Sequence, residues 1–330
     1  MINSYWEYAG TRYKSKIKAI EASGGDISSI SFFAFSDSFY CYSWNKEPTE
    51  SWEELLLQRA LLLREKYKYL KLWFSGGADS TTVLNTFLRN NIYIDEIVVY
   101  RFAINDNFLN KSNYEIDNYV TPFLKNLSKV LINTKISYID FGKDYYDKYL
   151  GEKWLHTKSS LELRHYHIPK IRGKNYCNIF CDLTPDVYYD KGYWYSDLWD
   201  SSNLGEVASF SNIELFYSTD EFPELHAKQL HIVKNYLKDN KLCSIRTNSV
   251  EFKQIVRDLV RVTPVVPTAD SFKKTKTSSL FDNPKNLKLL KYADSKQLDV
   301  YKSLLSTKIR GKSLINLFIG YKAGTVNIGE

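Results

Sequence analysis

The chain lacks both a disulfide framework and a membrane-spanning run, and these absences narrow its class. Its 330 residues include only four cysteines, at irregular spacings that do not suit a disulfide-stapled domain. They are Cys41, Cys177, Cys181 and Cys243. No window approaches the roughly 18 uninterrupted apolar residues that a membrane span needs, and neither terminus resembles a targeting signal. We therefore expect a cytoplasmic protein with reduced thiols and no membrane partner.

The chain also lacks an excess of acidic residues. It has 45 Lys and Arg against 38 Asp and Glu, which gives a formal net charge of +7. A positive balance of this size suits anionic ligands such as nucleotides, but it falls short of a dedicated nucleic-acid-binding protein. With 44% hydrophobic residues, the chain can bury a full core.

Strands and helices alternate between residues 50 and 141. Ser51-Trp-Glu-Glu54 is a capping box that begins a helix ending near Tyr69. Apolar spacing then predicts strands at 70–74, 94–102 and 136–141, with helices at 83–88 and 114–127 between them. This order indicates a parallel sheet with right-handed crossovers.

The chain divides into three predicted parts. Residues 1–48 are rich in aromatic side chains and indicate a small N-terminal cap, residues 49–240 form the main domain, and residues 241–330 form a C-terminal part. Further predicted elements are cap strands at 30–35 and 39–44, a strand at 176–180, an aromatic hairpin over 187–195, and helices at 223–237 and 252–259. The expected fold class is α/β, a doubly wound parallel sheet with a mainly helical C-terminal part.

The turn after the first of these strands has glycines, hydroxyls and an acid, but no lysine. A glycine turn that leads into a helix N-terminus can cradle phosphate, because N–H groups and the positive dipole end point at the ligand. A Walker A loop would need G-x-x-x-x-G-K-[ST], and no lysine occurs between Lys71 and the end of the helix. Gly311-Lys312-Ser313 matches only the tail of that motif. No G-x-G-x-x-G occurs either, so a dinucleotide site is unsupported.

The sequence of this turn matches a known signature in full. Ser75-Gly76-Gly77-Ala78-Asp79-Ser80 resembles the S-G-G-x-D-S loop of the PP-loop ATP pyrophosphatases. Residues 59–98 and parts of 214–231 are also similar to phage-encoded asparagine-synthase-like proteins. The resemblance implies an adenine nucleotide alpha hydrolase (HUP) fold, and a location in the host cytoplasm. It also implies that ATP is split between its α- and β-phosphates, with adenylation of a carbonyl or carboxyl oxygen and displacement of AMP by a nucleophile.

The resemblance also implies roles for residues of the turn, with ATP and Mg²⁺ as cofactors. Ser75, Gly76, Gly77 and Ser80 would hold pyrophosphate oxygens, and Asp79 would bind the Mg²⁺ that bridges the phosphates. The expected nucleotide-binding set adds Phe74 and Ala78, and it includes Tyr100 and Arg101 at the end of the next strand, where such sheets bind ligands. A solvent-facing arginine would account for Arg101 equally well.

Two further site residues lie outside the turn. Asp182 stands nearest to the acidic G-E-x-x-D-E segment of asparagine synthetases and is a candidate second Mg²⁺ ligand, although an aspartate beside a proline turn has a purely structural explanation. Lys228 is a candidate substrate contact, assigned with Asp79 and Ser80 to the catalytic group. An exposed polar helix is the alternative reading of Lys228.

The resemblance leaves the acceptor open. The chain begins Met1-Ile2, without the glutaminase cysteine of asparagine synthetases, so ammonia or another external nitrogen donor is expected. The acceptor could be a nucleobase, an amino acid or a group on a nucleic acid. One alternative function is a tRNA or nucleobase sulfurtransferase that uses Cys177 or Cys181. The other is a catalytically silent nucleotide-binding module.

Overall fold

The structure is a computed structural model. It describes residues 5–14, 16–26, 29–33, 35–102, 113, 116–141, 175–181, 186–199, 212–244, 252, 255, 256, 259, 260, 308, 309, 312, 313 and 322–330. Within these ranges, no helix is long and apolar enough to cross a membrane.

The strands, in chain order, are β1 (Tyr5–Tyr8), β2 (Thr11–Tyr13), β3 (Ser31–Phe33), β4 (Tyr69–Trp73), β5 (Glu96–Phe102), β6 (Lys135–Phe141), β7 (Tyr176–Phe180), β8 (Asp186–Asp190), β9 (Tyr193–Trp199), β10 (Ile213–Leu215), β11 (Lys308–Ile309), β12 (Lys312–Ser313) and β13 (Lys322–Asn327). The helices are α1 (Lys16–Ala22), α2 (Asp37–Tyr40), α3 (Trp52–Lys66), α4 (Ala78–Arg89), α5 (Thr121–Leu127) and α6 (Pro223–Asp239). A π-helical turn, Ile116–Val120, leads into α5.

A five-stranded parallel sheet forms the centre of the molecule. Its order is β10-β7-β4-β5-β6, so β4 lies in the middle, with Leu72 opposite Ile97 on one side and Ile179 on the other. The four strands predicted along this sheet are confirmed to within two residues, as is the α/β class. Because the strands are parallel, their carboxyl ends meet at one edge, and the turn after β4 lies at the middle of that edge.

Local signals in the sequence explain how α3 begins and which face it buries. The Ser51 hydroxyl accepts from the Glu54 N–H at 3.2 Å, and the Glu54 carboxylate accepts from the Ser51 N–H at 2.7 Å, which confirms the capping box. One face of the sheet packs against α3, α4 and α5 through a core of aliphatic and aromatic side chains, including Leu56, Leu63, Leu72, Val83, Phe87, Val99, Leu124 and Ile179.

The N-terminal segment differs from its prediction. A hairpin of β1 and β2 turns at Ala9 and Gly10, whose φ angles are 47° and 77°, and β1 also pairs with β3. The predicted strand at 39–44 is wrong: residues 37–40 form α2, and the Trp44 indole N–H donates back to the Phe39 carbonyl at 3.0 Å. Aromatic residues favour strands by composition, but here tertiary packing bends them into a compact turn.

A second core joins the N-terminal segment to later parts of the chain. Phe39 and Trp44 pack with Leu230 and Val233 of α6, and with Trp194 of the hairpin β8–β9. The hairpin is confirmed, and β13 adds a third strand to it by pairing with β9. The sequence did not predict this C-terminal strand, and most of the predicted helical part over 241–330 lies outside the described residues.

Burial makes His226 of α6 a source of acid sensitivity. Its imidazole is fully buried, with Nδ1 3.0 Å from the Ser218 hydroxyl oxygen and the ring centroid 5.6 Å from that of Trp44. Burial lowers the pKa of His226 to about 3. Since an unfolded histidine titrates near pH 6.5, the unfolded state binds a proton that the folded state does not, and stability falls as the pH drops below that value.

As the pH falls from about 6 to about 5, we expect the titration of His226 to lower the free energy of unfolding by about 1 kcal/mol. Urea unfolding at several pH values measures this slope. The His226→Gln variant cannot titrate there, so its slope should be smaller. Some slope of the same sign remains, because burial also lowers the pKa of His231. A variant slope equal to that of the parent protein would exclude His226 as the source.

Candidate functional site

The turn between β4 and α4 has the backbone geometry of an anion cradle. Gly76 has a φ of 73°, which favours glycine, and Gly77 is the N-cap of α4 without a side-chain capping bond. The first helical bond runs from the Thr81 N–H to the Gly77 carbonyl at 3.0 Å. An N-terminus that no side chain caps leaves its N–H groups and dipole to a ligand or to solvent.

Hydroxyl groups surround this turn. The Ser75 and Ser80 hydroxyl oxygens lie 3.2 Å apart, the Gly77 N–H donates to Ser75 Oγ at 3.3 Å, and the Ser80 hydroxyl donates to the Gly77 carbonyl at 3.2 Å. Ser75 is exposed whereas Ser80 is buried. The predicted residues 74–80 therefore lie together at this turn. Ser75 faces solvent, whereas the buried Ser80 hydroxyl stabilises the turn through its hydrogen bond to Gly77.

Asp79 is the acidic residue of the first turn of α4, and it is half-buried. Its main-chain carbonyl accepts a hydrogen bond from the Tyr217 hydroxyl at 2.8 Å. Burial, and then the nearby charge of Asp79, raise the pKa of Tyr217 well above its usual value. The phenol is therefore a neutral hydrogen-bond donor beside a carboxylate.

The groups at this edge fit a magnesium nucleotide. Backbone N–H groups and hydroxyls suit phosphate oxygens, and a carboxylate suits a hard cation. Among the described residues, no group of three His, Cys, Asp or Glu side chains could hold a metal by itself. Mg²⁺ is commonly held by one or two carboxylates together with substrate phosphates and water, so Asp79 can serve as its protein ligand. Asp182, the predicted second ligand, lies outside the described residues.

Tyr100 and Arg101 are placed on opposite faces of β5 by the alternation of its side chains. The Tyr100 ring stacks on Trp73 with centroids 4.7 Å apart, and Trp73 stacks in turn on Phe180 at 5.5 Å. Arg101 forms a two-pronged ion pair with Asp140 of β6, at 2.7 and 2.9 Å. The three stacked rings cross the middle strands β5, β4 and β7, whereas the Arg101 guanidinium is paired with Asp140.

Lys228 contacts the segment that precedes α3. Its ammonium donates to the Glu47 carboxylate at 2.8 Å and to the Pro48 carbonyl at 3.1 Å. These contacts anchor α6 to that segment, and they involve none of residues 74–80. A catalytic role for Lys228 remains a prediction that its observed partners do not favour.

Cys177 and Cys181 are both buried. Cys177 lies inside β7, where burial first of all, and the charge of Glu214, raise the pKa of its thiol well above the ordinary value. Since the thiolate is the reactive form of cysteine, this setting suppresses nucleophilic sulfur chemistry at Cys177.

Arg59 was not predicted as a site residue, but it holds the edge strand β10 and the residue that follows it. Its side chain is 1% exposed, and the guanidinium donates to the carbonyls of Leu215 and Phe216 at 3.0 and 3.2 Å and to the Glu214 carboxylate at 3.1 Å. A signal was present, because Arg59 stands four residues after Leu55 and four before Leu63, on the apolar face of α3. An arginine at such a position needs buried partners.

No protein-family model matches the chain, and no curated protein is significantly similar to it. The resemblance to PP-loop enzymes therefore stays a prediction from the sequence. What the structure shows is that residues 74–77 connect the central parallel strand β4 to α4, whose N-terminus no side chain caps.

Proposed function

We propose that this chain is an ATP pyrophosphatase, which binds magnesium ATP at the turn 75–80 and directs an acceptor to the α-phosphorus. One observation carries the proposal: the complete S-G-G-x-D-S sequence forms the turn between the central parallel strand and an uncapped helix. The five-stranded parallel sheet supports a fold of the HUP type, with the nucleotide at its carboxyl edge.

In this proposal each group of the turn has a separate task. The N–H groups at the start of α4 and the exposed Ser75 hydroxyl bind the β- and γ-phosphates, so that pyrophosphate is the leaving group. Ser80 holds the turn in shape, and the Asp79 carboxylate holds Mg²⁺. When bound, the metal would neutralise the charge that develops on the leaving phosphates. Catalysis then depends on positioning and on charge, and it requires no protein nucleophile.

The reaction class we favour is C–N bond formation. A carbonyl or carboxyl oxygen of the acceptor attacks the α-phosphorus, pyrophosphate leaves, and ammonia or an amine then displaces AMP. A nucleobase or its precursor is an attractive acceptor, since the motif resembles that of phage-encoded proteins. Sulfur transfer is the weaker alternative, because the buried Cys177 cannot easily ionise.

Product analysis tests the proposal directly. The protein is incubated with Mg²⁺, ATP labelled at the α-phosphate and a small-molecule extract, with ammonium as the nitrogen donor. Labelled AMP and an equal amount of pyrophosphate are expected, in a yield that depends on the extract. ADP with inorganic phosphate would contradict the proposal. Tight ATP binding without AMP under every acceptor fraction would favour the silent nucleotide-binding module.

A further inference from the structure

Tyr217 connects a distant part of the chain to the start of α4. Its hydroxyl donates to the Asp79 carbonyl at 2.8 Å, and the Thr82 side chain hydrogen-bonds the same phenol. Both partners lie in the first five residues of α4, and Tyr217 is 138 residues away from Asp79 in the chain. The tyrosine therefore braces the helix end that carries the metal-binding carboxylate of the proposed function.

The Tyr217 ring is fixed independently of its hydroxyl. The side chain is 2% exposed, and it stacks on Trp52 with centroids 6.1 Å apart and planes only 4° from parallel. Phe216 packs against it edge-on at 5.4 Å. A phenylalanine would satisfy all of this packing, so the buried hydroxyl serves the hydrogen bonds to α4.

The main chain before Tyr217 is also held firmly. Arg59 binds the carbonyls of Leu215 and Phe216, and the Phe216 N–H donates to the Phe180 carbonyl at 2.9 Å. Arg59 is itself buried against Glu214, which also accepts from Lys66 and Tyr67. The main chain that carries Tyr217 is thus held in place, and the Tyr217 hydroxyl reaches the Asp79 carbonyl from it.

We propose that Tyr217 is a positioning residue that aims the Asp79 carboxylate at the metal–phosphate group. Without the hydroxyl, the first turn of α4, which no side chain caps, loses its hydrogen bond to Tyr217 and is held less firmly against this residue. Groups that orient a metal ligand commonly change metal affinity by about 10- to 100-fold when they are removed. This inference rests on the proposed function, since it needs a magnesium nucleotide at the turn.

The test compares Tyr217→Phe with Tyr93→Phe. Tyr93 is the matched control, because its hydroxyl also donates to a main-chain carbonyl, that of Asn133 at 2.6 Å, but away from the turn, between the segments that lead into β5 and β6. ATP binding is measured by calorimetry over a range of Mg²⁺ concentrations. Tyr217→Phe should raise the half-saturating Mg²⁺ concentration by about tenfold. ATP binding without Mg²⁺ should stay the same, and Tyr93→Phe should behave as the parent protein.

Two further variants separate positioning from packing. Trp52→Phe weakens the ring stack and keeps the hydroxyl, so it should lower the melting temperature without changing the Mg²⁺ dependence. Thr82→Val removes the second hydrogen bond to the phenol, and it should shift the Mg²⁺ dependence in the same direction as Tyr217→Phe. If Tyr217→Phe does not fold, the Mg²⁺ dependence of Thr82→Val is the test: an unchanged dependence would then overturn the positioning role.

The outcomes distinguish the two proposals. A parent protein that binds magnesium ATP, together with a folded Tyr217→Phe variant of unchanged Mg²⁺ dependence, would overturn the positioning role alone. The same follows if Trp52→Phe reproduces the shift, because packing would then be the cause. A parent protein that binds no magnesium ATP would overturn the proposed function and the positioning role with it.

Discussion

Asp79→Asn should lose AMP formation almost completely, while the protein stays folded. The amide has the shape of the carboxylate, but it has no charge and only one oxygen to offer the metal. A bound metal ion supplies several kcal/mol of transition-state stabilisation, and each 1.36 kcal/mol is tenfold in rate, so a loss of about a thousandfold is expected. Release of labelled AMP from ATP, followed at saturating Mg²⁺, measures it.

Asp37→Asn is the matched control for this variant. Asp37 is also an acid in the first turn of a helix, α2, and it is exposed. Both substitutions remove a favourable interaction with a helix dipole, which costs about 0.3–1 kcal/mol of stability. Only Asp79→Asn should affect catalysis. AMP formation at the parent rate in Asp79→Asn would show that the metal is held elsewhere, and it would remove the central role of the turn.

The parts of the site that are contiguous in sequence could be predicted, and the parts that meet in space could not. Residues 74–80 form one strand–turn–helix unit, so their spacing already fixes their relative positions. By contrast, Tyr217 lies 138 residues from Asp79, and Glu214 lies 155 residues from Arg59. No periodicity in a single sequence pairs such residues, because their meeting depends on the strand order of the sheet.

The fold shows the same division. Four of the five strands of the parallel sheet, all but β10, and the capping box of α3 were predictable, because apolar runs and caps are local signals. The strand β13 was not, because its pairing partner β9 stands more than a hundred residues earlier in the chain. The wrong strand at 39–44 failed for a related reason, since its aromatic residues pack against distant parts of the chain, α6 and Trp194 of the hairpin β8–β9.

Arg59→Ala should cause the largest loss of stability. The substitution removes hydrogen bonds to two carbonyls and leaves the buried Glu214 without its guanidinium partner. Burial by itself would raise the pKa of Glu214, but the charge of Arg59 and the hydrogen bonds from Lys66 and Tyr67 outweigh it and lower the pKa to about 2. Breaking a buried ion pair from one side typically costs about 3–5 kcal/mol, and urea unfolding at neutral pH should show a loss of this size.

The pH dependence of Arg59→Ala gives an independent check. Because the folded pKa of Glu214 lies below the unfolded value of 4.5, its stabilisation is present above pH 4.5 and is lost as the pH falls toward 2. The variant raises the folded pKa, so its unfolding free energy should change less over this acid range than that of the parent protein.

Arg64→Ala is the matched control, since it changes the same residue type in the same helix. The Arg64 side chain is 24% exposed, against 1% for Arg59, and it pairs with Asp95 at 2.7 Å and donates to the carbonyls of Tyr67 and Tyr93 at 2.6 and 3.2 Å. Water reaches the Arg64 pair and can replace part of its contacts, whereas it does not reach the Arg59 pair, so Arg64→Ala should lose less stability than Arg59→Ala. Equal losses would mean that the network around Glu214 does not hold the segment 214–217 in place. In that case the ring stack on Trp52 would be what holds Tyr217 in position to reach Asp79.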